Sequence, residues 1–180
     1  MKIQQYLLVL LEVLFPYMLN ADVTEDIHFS HIGLEEGLSH STIFAINQDK
    51  GGNLWFATYD GVNKYDGYNF IVYRHQYTNP KSIASDISRC ITMDDSDRIW
   101  IGTREGLSLY NHYKDEFSNY YYKRNGLNVA VTSIIPIKKD WLMLGTAEGI
   151  LLFDVKKEFP FGYIILFFAW IAAGSFGTPG

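Results

Sequence analysis

"NLWFATYDGVNKYDG" at residues 53–67 and "RIWIGTREGLSLYN" at residues 98–111 are two versions of one phrase. A looser third version, "WLMLGTAEGILLFD", occupies residues 141–154. The threonines Thr58, Thr103 and Thr146 lie 45 and then 43 residues apart, and Gly61, Gly106 and Gly149 keep the same two intervals. So do the aromatics Tyr65, Tyr110 and Phe153. Landmarks that recur in step identify an internal repeat, and a repeat decides the architecture before any local reading can. Trp55 and Trp100 give way to Met143 in the third copy, where Trp141 stands on the same strand face and is placed to fill the space.

Each copy opens with a run that is apolar on both faces. Leu54, Phe56 and Thr58 alternate with Trp55, Ala57 and Tyr59; Ile99, Ile101 and Thr103 alternate with Trp100, Gly102 and Arg104; Leu142, Leu144 and Thr146 alternate with Met143, Gly145 and Ala147. A strand of this kind must be covered on both sides, which suits a small sheet packed between similar sheets. Ala57, Gly102 and Gly145 hold one equivalent site, where the lack of a large side chain lets neighbouring backbones come close. The pairs Asp60-Gly61, Glu105-Gly106 and Glu148-Gly149 read as hairpin turns whose glycine takes a positive φ. "TIFAINQDKGGNLW" and "SRCITMDDSDRIW" supply a strand and a turn upstream, and "YNFIVYRH" and "DEFSNYYYK" a strand downstream. Four strands per unit of about 40–45 residues is the blade of a β-propeller. The expectation is therefore an all-β chain, an incomplete β-propeller with about three four-stranded blades: blade 1 at 37–80, blade 2 at 81–124 and a partial blade 3 at 125–159.

Both ends depart from this pattern. Residues 1–21 carry Lys2 ahead of an apolar stretch from Tyr6 to Leu19, with Ala21 beyond it, and read as a signal peptide despite Glu12; residues 22–36 form a lead-in. The alternative for the N-terminus is a buried first helix. Residues 160–180 form a hydrophobic tail whose continuous apolar part, Phe161 to Ala173, falls short of the roughly 20 residues that a membrane-spanning helix needs. Lys156 and Lys157 ahead of it favour a cytoplasmic flank, against an exported body. A non-homologous or prematurely ended tail is preferred there to an anchor or a buried strand.

The composition sets further bounds. With 48% hydrophobic and 19% charged residues the chain has material for a packed core. A net charge of −5 argues against a basic face for nucleic acid. Cys90, the single cysteine, excludes an internal disulfide and a Cys-rich zinc site and is read as a small buried hydrophobe. His28 and His31 are spaced for a helix face, but "EDIHFSHIGLEEG" is not convincingly helical, and no metal is assigned to them. Asp94 to Asp97 lacks the glycine and distant glutamate of a calcium loop and aligns with the "DKGGN" turn. Glu35 and Glu36 are adjacent and cannot converge on one strand face, so they are assigned to a solvated loop. No nucleophile elbow, phosphate loop or dinucleotide fingerprint occurs, and no cofactor is implied. The aromatics Tyr113, Tyr120, Tyr121, Tyr122 and Trp170 remain as groups that can stack on a sugar ring, although tyrosines at blade edges more often pack between blades.

The stretch from Gly37 to Tyr73 resembles the opening blade of the two-component regulator propeller family. The family's pattern of Asp, Gly, Leu-Trp, Gly-Thr, Gly-Leu and Tyr-Asp falls on Asp49, Gly52, Leu54, Trp55, Thr58, Gly61, Tyr65 and Asp66. In the second copy it falls on Asp94, Ile99, Trp100, Gly102, Thr103, Gly106, Leu107 and Tyr110. Ala57 and Val62 depart from it, as does the weakened third copy. The resemblance implies the periplasmic sensor part of a Bacteroidetes-type hybrid two-component system, whose ligand is commonly an oligosaccharide and whose kinase and DNA-binding parts are not among these residues. It also implies partners: remaining propeller blades or a homodimer partner. Contact with a membrane would come only through the signal peptide or the C-terminal tail. The alternatives are a non-catalytic scaffold or truncated gene product and, less favoured, a propeller lyase or glycosidase, for which no convergent catalytic groups are visible.

Overall fold

The computed structural model describes residues 29–138 and 140–163. The chain divides into two compact units, Met1–His31 and Ile32–Gly180, and every strand below belongs to the second. The expected signal peptide, residues 22–28 of the lead-in, His28, Trp170 and the tail beyond residue 163 lie outside the described residues.

Three four-stranded antiparallel sheets follow one another, each a meander with strands paired in chain order. The first contains β1 (Ile43–Gln48), β2 (Leu54–Thr58), β3 (Val62–Tyr65) and β4 (Phe70–Tyr73); the second contains β5 (Ser88–Met93), β6 (Ile99–Thr103), β7 (Gly106–Asn111) and β8 (Glu116–Tyr120). A two-stranded ribbon of β9 (Lys123–Arg124) and β10 (Leu127–Asn128) leads to the third sheet, which contains β11 (Val131–Lys138), β12 (Trp141–Thr146), β13 (Gly149–Asp154) and β14 (Phe159–Tyr163). β1 lies beside β5 and β5 beside β11, so the first strands are the inner edges of blades that fan from one side. Among the described residues there is no helix, and so none long and apolar enough to cross a membrane. The third blade has its outer strand: β14 pairs with β13 and carries the sheet to Tyr163, past residue 159, where the sequence pattern fades. Pro160 obscures this strand in the sequence, but an edge strand tolerates proline because one side of its ladder is unused.

The turn that closes each central hairpin is the same three times. Thr58 Oγ1 donates to the carbonyl of Gly61 at 3.0 Å and accepts from the N–H of Asp60 at 3.1 Å. Thr103 does so with Gly106 at 3.0 Å and Glu105 at 3.2 Å, and Thr146 with Gly149 at 2.8 Å and Glu148 at 3.1 Å. One hydroxyl thus satisfies a donor and an acceptor of a tight turn, which explains why threonine recurs. Gly61 has φ 92°, and a Cβ there would collide with the carbonyl oxygen of Tyr73 in β4, so glycine is required on both counts.

At the other end of β2 and β6 a second device repeats. Asp49 Oδ2 accepts from Trp55 Nε1 at 2.9 Å, and Asp94 Oδ2 accepts from Trp100 Nε1 at 2.8 Å. Asp49 also takes the backbone N–H of Asn53 at 2.9 Å, and Asp94 those of Ser96 at 2.9 Å and Arg98 at 3.1 Å. The aspartates of the "DKGGN" and "DDSD" turns therefore organise the turn and anchor the indole of their own blade.

The indole rings then enter the next blade. Trp55 shares a core with Ile91, Ile99, Ile101 and Tyr110 of the second blade, and Trp100 shares one with Leu142, Leu144, Leu151 and Phe153 of the third. Trp55 meets Tyr110 edge-on at 4.8 Å between centroids, and Trp100 meets Phe153 edge-on at 5.8 Å. Close approach occurs where the sequence left small residues: a Cβ on Gly102 would lie 2.7 Å from the carbonyl oxygen of Val131 in β11. Among the described residues two apolar faces are exposed, one on the first blade with Ile46 59% exposed and one on the third with Ile135 57% exposed.

Candidate functional site

Each inner strand begins with an irregularity. Ladder pairing shifts between Ile43 and Ala45, between Ser88 and Cys90, and between Val131 and Ser133. The intervening residues, Phe44, Arg89 and Thr132, are thereby freed from the regular alternation, as a bulge re-aims a side chain. Each sits fourteen positions before the recurrent threonine of its blade, and one residue after that threonine come Tyr59, Arg104 and Ala147. These six residues, two from each blade, line a cavity of about 630 Å³ with Ile87 and Ala130. The repeat makes the frame, and the three blades place unlike side chains at its equivalent points: aromatic from the first, cationic from the second, small from the third.

The aromatic and cationic groups are in contact. The guanidinium of Arg89 lies over the Phe44 ring at 4.6 Å and near the Tyr59 ring at 5.5 Å, while the two rings are 4.9 Å apart. His40 flanks Tyr59 at 5.6 Å, and Tyr59 remains 42% exposed. A second depression of about 460 Å³ adjoins the first, shares Ile87 and Arg104 with it, and adds His75, Tyr77, Asp86, Glu105, Tyr121 and Asn128. Asn128 Nδ2 donates to Glu105 Oε2 at 3.0 Å, while its buried Oδ1 has no partner within the described protein.

The acids of this rim are already engaged. Asp60 receives Arg74 through Nε at 3.0 Å and Nη2 at 2.8 Å, and this pairing holds its carboxyl below the usual range against the opposing effect of burial. Asp86 accepts the backbone N–H of His75 at 2.6 Å. Among the described residues, no carboxylate lies within ion-pair distance of Arg89 or Arg104. The site therefore combines ring faces, two guanidinium groups with no ion-pair partner among the described residues, and hydrogen-bonding side chains. It can bind and orient a polar ligand with an apolar face.

Of the residues singled out in the sequence, Tyr120, Tyr121 and Tyr122 line one cavity of about 410 Å³ with Val131, Leu151 and Phe153, and the others scatter. Tyr121 lines the second depression, but Tyr120 packs on Trp100 and Phe153, at 6.1 and 5.0 Å, and Tyr122 is half-buried beside the same core. Tyr113 is fully solvent-exposed beside a different hollow, with Asp49 and His112. Glu36 accepts the N–H of Gly33 at 2.6 Å in a solvated turn. Cys90 is half-buried, and burial pushes its thiol up to about 12, which makes it a poor nucleophile. His31 is exposed, and among the described residues no three metal-ligating side chains cluster. Sequence reading passed over Phe44, Tyr59, Arg89 and Arg104. Their signal was the reverse of a motif: positions at fixed offsets from the threonine whose residue changes from copy to copy.

The two-component regulator propeller family matches this chain at residues 37–60 and 82–105, the two segments that contain the Asp–Trp anchor and the threonine turn. Over these two segments the chain is similar to two-component regulator propeller repeats. A histidine kinase of Formosa agariphila is 47% identical over 49 residues, which is 27% of this chain and 4% of the kinase. The extracellular domain of a hybrid two-component system from B. thetaiotaomicron superimposes with a TM-score of 0.67 at 33% identity, covering 74% of this chain and 20% of that domain. A second extracellular domain from B. thetaiotaomicron, from a one-component system, shares the fold with a TM-score of 0.58 at 20% identity over 72% of this chain and 19% of its own length. The propeller repeats described above thus span about a fifth of each of these solved domains.

Proposed function

We propose that this chain is a ligand-sensing propeller region of an exported two-component sensor, and that the ligand is an oligosaccharide. The observation that carries the reading is the cavity to which three blades each bring two residues at equivalent points, with the exposed ring of Tyr59 beside Phe44 and Arg89. An aromatic face with adjacent donors suits a sugar, which offers an apolar ring face and peripheral hydroxyls. The family of the repeats and the extracellular placement of the solved relatives support a location outside the cytoplasm. The role of the site is binding, with signalling chemistry assigned to other parts of the sensor. Calorimetric titration of the full chain with a panel of oligosaccharides tests this: at least one binds, and Tyr59→Ala weakens it by about tenfold or more, in line with the loss of a stacking anchor. Failure of every saccharide to bind would refute the proposal.

A second reading rests on the open apolar faces around Ile46 and Ile135, which favour docking of remaining propeller blades. In that reading the chain contributes a wedge to a larger ring. The two readings are compatible, because the cavity lies on neither open face.

A further inference from the structure

Resting on the saccharide reading, the geometry points to a ligand that carries a negative charge: Arg89 and Arg104 form a recognition site for an acidic saccharide, one bearing carboxylate or sulfate groups. Three observations converge. The two guanidinium groups come from the same blade, line the same cavity, and have no carboxylate partner among the described residues, although the chain has a net charge of −5. Of the neighbouring acids, Asp60 is paired with Arg74, whereas Glu105 and Asp86 keep their charge in the adjoining depression without coming within ion-pair distance of either arginine. Finally, the guanidinium of Arg89 is held over the Phe44 ring at 4.6 Å and near the Tyr59 ring at 5.5 Å. Contact with ring faces restrains a guanidinium, whose N–H fork matches the two oxygens of a carboxylate or sulfate.

The division of labour follows from position. Phe44 and Tyr59 offer ring surface to the sugar. Arg89, half-buried and held by the rings, fixes the anionic group, whereas Arg104, exposed at the junction of the two depressions, attracts a second charge or a neighbouring residue of the chain. A neutral saccharide would leave both guanidinium groups without their best partner, and a site built around polar groups discriminates against ligands that leave them unpaired.

The test compares trigalacturonate with its carboxyl-reduced neutral trigalactoside by calorimetry on the full chain, for the wild type and for Arg89→Gln, Arg104→Gln and Lys114→Gln. The acid is expected to bind at least about tenfold more tightly than the neutral sugar, and each arginine change to remove about tenfold or more of the acid's affinity while altering the neutral sugar's by less than about twofold. Lys114→Gln, an equal loss of charge at an exposed site away from the cavity, should leave both affinities unchanged. Affinity for the acid should also fall as salt rises from 0.05 to 0.5 M, since a partly exposed charge pair is screened. Arg104→Gln alters an exposed side chain, so its result stands even if Arg89→Gln proves unstable. Equal binding of acid and neutral sugar, or equal loss of both in the arginine variants, would overturn the acidic preference and leave the saccharide reading standing. Binding of neither sugar would overturn the acidic preference, while the saccharide reading stands or falls with the oligosaccharide panel. Succinate binding as tightly as trigalacturonate would overturn the saccharide part and show a small-carboxylate site instead.

Discussion

Thr103 is fully buried, and its hydroxyl is tied to both the carbonyl of Gly106 and the N–H of Glu105. Replacing it with valine preserves shape but strands two backbone groups, so Thr103→Val should cost about 2 kcal/mol by chemical denaturation. Thr146→Val should cost less, because Thr146 is half-buried and water can substitute. Asp49 gives a pH-dependent counterpart. Burial alone would raise its pKa, but hydrogen bonds from Trp55 and Asn53 outweigh burial and hold it below the ordinary carboxylate value. A depressed folded pKa adds stability that is complete above the unfolded pKa of about 4 and is lost as pH falls through the folded value. The urea midpoint should therefore drop below about pH 4, and Asp49→Asn should reduce the size of that drop because its amide cannot titrate. Asp115 adds to the same trend: the hydroxyls of Tyr110 and Tyr73 each donate to it at 2.7 Å and lower its pKa.

At the scale of the element, the fold was legible because a propeller repeats its constraints. A threonine that serves one turn serves all three, and the acid–glycine pair marks the same corner each time. The small-residue position forecast where backbones approach, and Gly102 meets Val131 there. Gly102→Ala should destabilise the chain by about 1–3 kcal/mol through overpacking, read as a lowered thermal midpoint. The binding residues were less legible for a physical reason. Strand patterns are read through strict alternation, and Phe44, Arg89 and Thr132 sit at irregularities where alternation is suspended. The role of Asp49 and Asp94 as indole anchors was hidden for a related reason, since a turn aspartate looks the same whether it binds backbone alone or reaches a ring six residues ahead. β14 escaped because its identity rests on backbone pairing with β13, with Pro160 interrupting the side-chain signal.

At the largest scale, the three blades of the second unit follow one another as an arc, with one exposed apolar face at each end among the described residues. Propellers reach closure with four or more blades, so the arc presents surfaces suited to further blades. These faces should drive self-association of the isolated chain as concentration rises, measured by light scattering on a sizing column. Ile46→Lys and Ile135→Lys should each shift the distribution toward the monomer, because a charge on an apolar face opposes its burial. A chain that stays monomeric at every concentration would show that neither face mediates self-association.

The indole contacts give the arc a direction. Asp49 and Asp94 hold each tryptophan from behind, but Tyr110 and Phe153 of the following blade cap its ring. Injury to a blade is thus felt upstream: trimming Phe153 to alanine should brighten or redden the emission of Trp100 while Trp55, two sheets away, keeps its spectrum. The fold has an arrow, and damage reports backward along it one module at a time.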